Sequence, residues 1–204
     1  FTIKDLDSNN SLDVIVTGSN GNDGEFTDIN NLNGGAASNV EIVIDSSITA
    51  SVTWTITPGG AGKLAVDGYD TINFTNIDTL TGAVGGSGSD TLIGPSIGSV
   101  WEIDGANSGT VAGVSFSGIE NLLGGHGNDK FDFSSDGSIS GSIDGHGGSD
   151  HIRGGDKANQ WHVSGSNSGK LNNGNFSDIE YLEGGNDIDE FVIADGASLA
   201  GGLD

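Results

Sequence analysis

The chain has 204 residues, with 29 acidic against 6 basic side chains and a formal net charge of -23. That charge repels nucleic acid and anionic membranes and draws cations, so a nucleic-acid partner is not expected. The absence of Cys excludes disulfide stapling and thiol chemistry, and no apolar run approaches the roughly 18 residues of a membrane span, so membrane insertion is not expected either. There are 37 Gly and only 2 Pro, which points to many tight turns rather than a Pro-rich linker. A hydrophobic fraction of 33% suits a thin core shared between stacked layers better than a thick globular one.

The first chemical signal is DLDSNNSLD at 5–13. It sets Asp5, Asp7, Asn9, Ser11 and Asp13 at alternate positions, a spacing similar to the first part of an EF-hand calcium loop. Asn10 stands where that loop has Gly, and Val16 where it has Glu. Asp5, Asp7, Asn9 and Asp13 are one candidate cation site.

A decapeptide then recurs four times: FTDINNLNGG at 26–35, FTNIDTLTGA at 74–83, FSGIENLLGG at 116–125 and FSDIEYLEGG at 176–185. Its fifth residue is an acid or Asn. Upstream of each copy lies a partner segment: VIVTGSNG from Val14, TWTITPGGAG around Trp54, WEIDGANSG from Trp101 and WHVSGSNSG from Trp161. Trp101 and Trp161 are 60 residues apart, and KFDFSSDGSISGSID at 130–144 mirrors EFVIADGASLAGGLD at 190–204. The step from Trp54 to Trp101 is 47 residues, because that copy lacks the FDF…SIS piece. Repeats are therefore read at 1–52, 53–99, 100–159 and 160–204, the last cut short, in one continuous segment of a larger protein.

Alternation predicts short strands at Trp101-x-Ile103, Trp161-x-Val163, Phe131-x-Phe133, Phe191-x-Ile193 and residues 41–44, each bounded by Gly, Asn, Asp or Ser. No run has helical periodicity. The three Trp and Phe26, Phe74, Phe116 and Phe176 read as core. The fold class expected is all-β: an elongated, right-handed parallel β-solenoid of β-helix or β-roll type. Coils would be about 18–22 residues long.

Two segments, GGSGSDTLI at 85–93 and GGHGNDKFD at 124–132, match the nonapeptide G-G-x-G-x-D-x-U-x, with U a large apolar residue. GHGGSDHIR at 145–153, GGNDIDEFV at 184–192 and GGAASNVEI at 34–42 match in part. In these motifs the chain resembles the hemolysin-type calcium-binding repeats of RTX proteins. The resemblance implies Ca²⁺ between turns of successive coils, held by the motif Asp and by backbone carbonyls. Carried over, the ligands are Asp90, Asp129, Asp150 and Asp189, with backbone oxygens of Gly85, Ser87, Gly124 and His126. The family sets its nonapeptides in tandem. Here they are isolated or loosely paired, so a few sites are expected rather than a ladder of ions; Asp129 and Asp150, 21 residues apart, are the pair best placed to share one. The alternative for each turn is an Asp that caps backbone N–H groups. His126 and His146 are spaced to stack on adjacent turns.

No G-x-S-x-G elbow or P-loop occurs, and nothing singles out a catalytic carboxylate pair. The expectation is a non-enzymatic, structural and adhesive repeat segment of a giant secreted bacterial surface protein, extracellular, folded or rigidified by Ca²⁺. Neighbouring repeats are its first partners; end-to-end self-association and a surface glycan are further ones. The alternatives are a surface-layer or extracellular filament subunit, and a non-catalytic calcium-binding module of a secreted polysaccharide-modifying enzyme.

Overall fold

In the computed structural model, the residues described are 1–4, 13–16, 24–26, 29–35, 40–83 and 88–204; for residues 3–4, 13–16 and 24–26 only the backbone is described. The strands fall into four groups. The first holds β1 (Thr2–Lys4), β2 (Asp13–Val16), β3 (Gly24–Phe26), β4 (Asn31–Asn33) and β5 (Glu41–Ile44). The second holds β6 (Val52–Thr57), β7 (Ala61–Val66), β8 (Ile72–Thr75), β9 (Thr79–Thr81) and β10 (Thr91–Ile93). The third holds β11 (Val100–Gly105), β12 (Ser108–Val111), β13 (Val114–Ser117), β14 (Asn121–Gly125), β15 (Lys130–Phe133), β16 (Ser142–His146) and β17 (His151–Arg153). The fourth holds β18 (Gln160–Gly165), β19 (Ser168–Leu171), β20 (Gly174–Ser177), β21 (Tyr181–Glu183), β22 (Glu190–Ile193) and β23 (Gly202–Leu203).

The chain is all-β among the described residues, and its strands form two large sheets, one of 12 strands and one of 11. Most pairings are parallel, as in β10 with β14, β15 with β17 and β17 with β21. The strands predicted from alternation are β5, β11, β15, β18 and β22. Along a strand, buried and exposed positions alternate, as in Val52–Thr57 and Ile72–Thr75. The inward residues of both sheets make one apolar cluster that includes Trp54, Trp101, Trp161, Phe74, Phe116 and Phe176.

Each group opens with an element that uniform coils do not provide. The Trp-to-Phe segment is a three-stranded antiparallel meander: β6–β7–β8, β11–β12–β13 and β18–β19–β20, with β1–β2–β3 in the same place in the first group. In the third group its turn is built from Ala112 and Gly113, both with positive φ (52° and 82°). That two-residue geometry matches the twist of antiparallel strands. The middle strand carries Gly109, opposite both Ile103 and Phe116. A Cβ there would overlap the Glu102 carbonyl and lie 3.0 Å from Phe116 Cζ. Without it the Phe ring crosses the middle strand to meet the indole of the first: Trp101 and Phe116 pack edge-on at 6.2 Å, Trp54 and Phe74 at 6.1 Å, Trp161 and Phe176 at 6.5 Å. The next strand adds a stacked ring, Phe131 on Trp101 at 5.3 Å and Phe191 on Trp161 at 5.4 Å.

The chain changes sheet after every meander and every single strand, and an even number of single strands (two, two and four) separates successive meanders. They consequently land in alternate sheets, β11–β13 in the 12-stranded sheet and β18–β20 in the 11-stranded one. The piece that the second group lacks is β15 and β16, one strand from each sheet. Its omission leaves this alternation intact.

Candidate metal centre

The loops that carry the chain from sheet to sheet hold the motif acids. Asp129 and Asp150 end loops running from the 11-stranded into the 12-stranded sheet; Asp90 and Asp189 end loops running the other way. Asp90, Asp129 and Asp150 are only 1%, 2% and 1% exposed. The core-directed residue of the following strand anchors each turn: Leu92, Phe131 and Ile152 are all fully buried.

Each motif carboxylate accepts the backbone N–H of a residue 21 to 38 positions earlier in the chain. Ser99 N–H donates to Asp129 Oδ1 at 2.8 Å, Asp129 N–H to Asp150 Oδ1 at 2.7 Å, and Asp150 N–H to Glu180 Oε2 at 2.7 Å. On the other side Val52 N–H donates to Asp90 Oδ1 at 3.2 Å, Asp90 N–H to Glu120 Oε2 at 2.9 Å, and Asn159 N–H to Asp189 Oδ1 at 2.8 Å. A second carboxylate oxygen closes the local turn, with Gly125 N–H donating to Asp129 Oδ2 at 2.9 Å and Ala83 N–H to Asp90 Oδ2 at 2.7 Å. The acids therefore form two ladders of charge-assisted hydrogen bonds between loops on the same side of the two sheets.

Sequence reasoning missed Glu120 and Glu180. Both are the fifth residue of the decapeptide, and the signal was there: in the second copy Asp78 fills the same place and accepts Val40 N–H at 2.8 Å. Asn107 and Asn167, in the left-handed region at φ 52° and 50°, hold them from the side. Asn107 Nδ2 donates to Glu120 Oε1 at 3.2 Å and Asn167 Nδ2 to Glu180 Oε1 at 2.6 Å.

Burial pushes the Asp90 carboxyl up to about 6, against backbone N–H bonds from Ala83 and Val52 and with Glu120 nearby. Burial likewise pushes Asp150 up to about 6; the Asp129 N–H opposes it, while the charges of Asp129, Glu180 and Asp178 add to it. Asp129 is raised as well, first by burial. Among the described residues none of these acids pairs with Lys, Arg or His; the ion pairs use Asp132, Asp156 and Glu183 instead.

The donor set suits a hard cation in part. At Gly124 a Cβ would lie 2.6 Å from the Gly145 carbonyl and 2.7 Å from Asp129 Oδ2; at Gly145 it would meet the Asp178 carbonyl and Asp150 Oδ2. Glycine there lets a carbonyl from a later loop and a motif carboxylate converge. Ca²⁺ takes roughly six to eight such oxygens. Among the described residues, however, no three acidic or histidine side chains gather as one cluster able to hold an ion. On the Asp129–Asp150 side, the charges of Asp129, Glu180 and Asp178 all act on Asp150.

The side chain of His126 is exposed, and its ring lies against that of His146 on a neighbouring turn, with centroids 4.8 Å apart and planes tilted by 40°. Asp5, Asp7, Asn9, Gly85 and Ser87 lie outside the described residues, as does the side chain of Asp13. A cavity of about 290 Å³ opens between the sheets over Phe133, Ile143, Ile152 and Phe176, with Lys157 and Asn172 at its mouth. None of its lining residues is acidic, and Asn159, which donates its N–H to Asp189, lies on its wall. In comparisons with known proteins, no family model, curated protein or solved structure matches the chain.

Proposed function

We propose that this chain is a calcium-responsive, non-catalytic structural and adhesive repeat segment of a large secreted bacterial surface protein, with a β-solenoid architecture akin to the RTX repeats its turns resemble. One observation carries the reading. Asp129, Asp150, Asp178 and Glu180 concentrate negative charge at successive turns, two of them buried, with no basic side chain paired to them among the described residues. Burying a charge without a partner is costly, and a divalent cation bound there offsets that cost. Asp129 and Asp150, with carbonyls of Gly145 and Asp178, are the groups that would hold it. A chain so charged stays open where Ca²⁺ is scarce and closes where it is abundant, since ligand binding to the folded state alone favours folding.

The test is thermal unfolding followed by circular dichroism in EDTA, in a Ca²⁺ series from about 0.1 to 10 mM bracketing extracellular-type affinities, and in Mg²⁺. A β-rich transition that rises with Ca²⁺ and not with Mg²⁺ supports the reading. A transition indifferent to EDTA and Ca²⁺ overturns it and leaves the acids as hydrogen-bond caps.

A further inference from the structure

The loop at 154–159, Gly-Gly-Asp-Lys-Ala-Asn, has the length and paired glycines of the loops at 124–129 and 184–189, but ends in Asn159 where those end in Asp129 and Asp189. Asn159 is 2% exposed. Its amide nitrogen sits among four oxygens: Lys157 O at 2.7 Å, Gly155 O at 2.9 Å, Asp189 Oδ1 at 2.9 Å and Gly184 O at 3.1 Å. An amide NH₂ has two hydrogens, so four oxygens exceed what it can bond linearly. Its own oxygen is also engaged, accepting Asn172 Nδ2 at 3.2 Å. Three carbonyls and a carboxylate converging on one point form the oxygen set of a hard-cation site. The set draws on two successive coils, residues 155–157 and residues 184–189. No basic side chain pairs with Asp189 among the described residues.

We infer that the oxygens around Asn159 form a calcium site that the Asn159 amide itself occupies, so that this join is stapled without an ion. Asn159→Asp would then convert it into a join that requires one. The inference draws on the calcium reading above for the choice of ion. The change exchanges a partial positive charge for a second carboxylate facing Asp189, and it removes the donor that the three carbonyls share. In Asn159→Asp a carboxylate oxygen stands where Nδ2 stood, so Ca²⁺ would sit beside that point, at about 2.3–2.6 Å from both carboxylates and from the carbonyls that shift towards it. The native consequence is graded order: the join between β17–β18 and β21–β22 holds at any Ca²⁺ concentration, and the acid-only turns follow as the ion is supplied.

The experiment compares the full chain with its Asn159→Asp and Asn159→Leu variants. Melting temperature is measured in EDTA, Ca²⁺ and Mg²⁺, and bound Ca²⁺ is counted by equilibrium dialysis. Both variants should melt below the parent in EDTA. Ca²⁺ should raise Asn159→Asp by about 3 °C or more beyond the parent's own shift, with one additional ion bound, and should not rescue Asn159→Leu. Equal ion counts and equal shifts in the parent and Asn159→Asp, or failure of Asn159→Asp to fold even with Ca²⁺, overturn the inference. If the parent gains nothing from Ca²⁺ while Asn159→Asp does, the general calcium reading falls and the assignment of this cage stands. If the parent responds and the variant adds nothing, only the assignment falls.

Discussion

Replacing Asp150 by Asn should stabilise this chain in the absence of metal. Asn keeps an oxygen to accept the Asp129 N–H, so the 2.7 Å rung can survive, while the charge facing Asp129, Glu180 and Asp178 is lost. A carboxyl raised from 3.8 to about 6 binds its proton more tightly when folded than when unfolded. Its ionised form therefore opposes folding above about pH 6, and the opposition is relieved as pH falls through 6 and is gone below about 3.8. Each unit is worth about 1.4 kcal/mol, so the full shift bounds the effect near 3 kcal/mol, and solvent screening brings it to about 1–2 kcal/mol. For a chain of this size that is a rise of roughly 2–8 °C in melting temperature. Thermal and urea melts of both proteins in EDTA, at about pH 7.5 and again near pH 4.5, give the comparison. The variant should lead at the higher pH, lose most of its lead at the lower, and gain less than the parent from Ca²⁺. A variant less stable than the parent at pH 7.5 without metal, or a lead independent of pH, would refute the idea of an uncompensated buried charge.

Gly109→Ala should cost about 1–3 kcal/mol in urea melts, since its Cβ overlaps the Glu102 carbonyl and crowds Phe116; a neutral result would mean that the Trp–Phe contact across the meander is dispensable. Arg153, the single Arg of the chain, meets Asp132, Glu183 and Asp156 at 3.3, 3.1 and 2.7 Å. Arg153→Ala should lose no more than about 1 kcal/mol, and the loss should shrink at high salt; a larger, salt-independent loss in chemical melts would show that the arginine stem packs as well as pairs.

Much of the fold was legible because burial leaves a period of two: Trp101-x-Ile103 and Phe131-x-Phe133 each place both large residues on the core side. The meander was not. Its middle strand, Ser-Gly-Thr-Val at 108–111, is short, opens next to a Gly and reads as turn. Asn107 and Gly113, residue types that accept positive φ, do mark its two turns, whereas the positive φ of Ala112 has no mark in the sequence. At the candidate site the spacing of Asp129 and Asp150 marked neighbouring turns, and the Asp129 N–H does reach Asp150 Oδ1. What spacing alone did not give was the partner: the Asp129 N–H, and Glu180 one coil on. Glu120 and Glu180 stood at a repeated acid position of the decapeptide, yet their role depends on stacking between coils, which a linear reading does not reach.

The alternation of meanders between sheets has a consequence for any long run of such repeats. A full 60-residue unit adds five strands to one sheet and two to the other, as the third group does, and the next unit reverses the shares. Two units thus lengthen each side by seven strands, about 34 Å at the usual strand spacing. A partner lying along one side would meet the same outer surface only at every second copy. Omitting the β15–β16 pair shortens that interval by one strand, about 4.8 Å, without turning the following copies to the other side. Such an array is a ruler whose marks can be moved in small steps while still facing the same way.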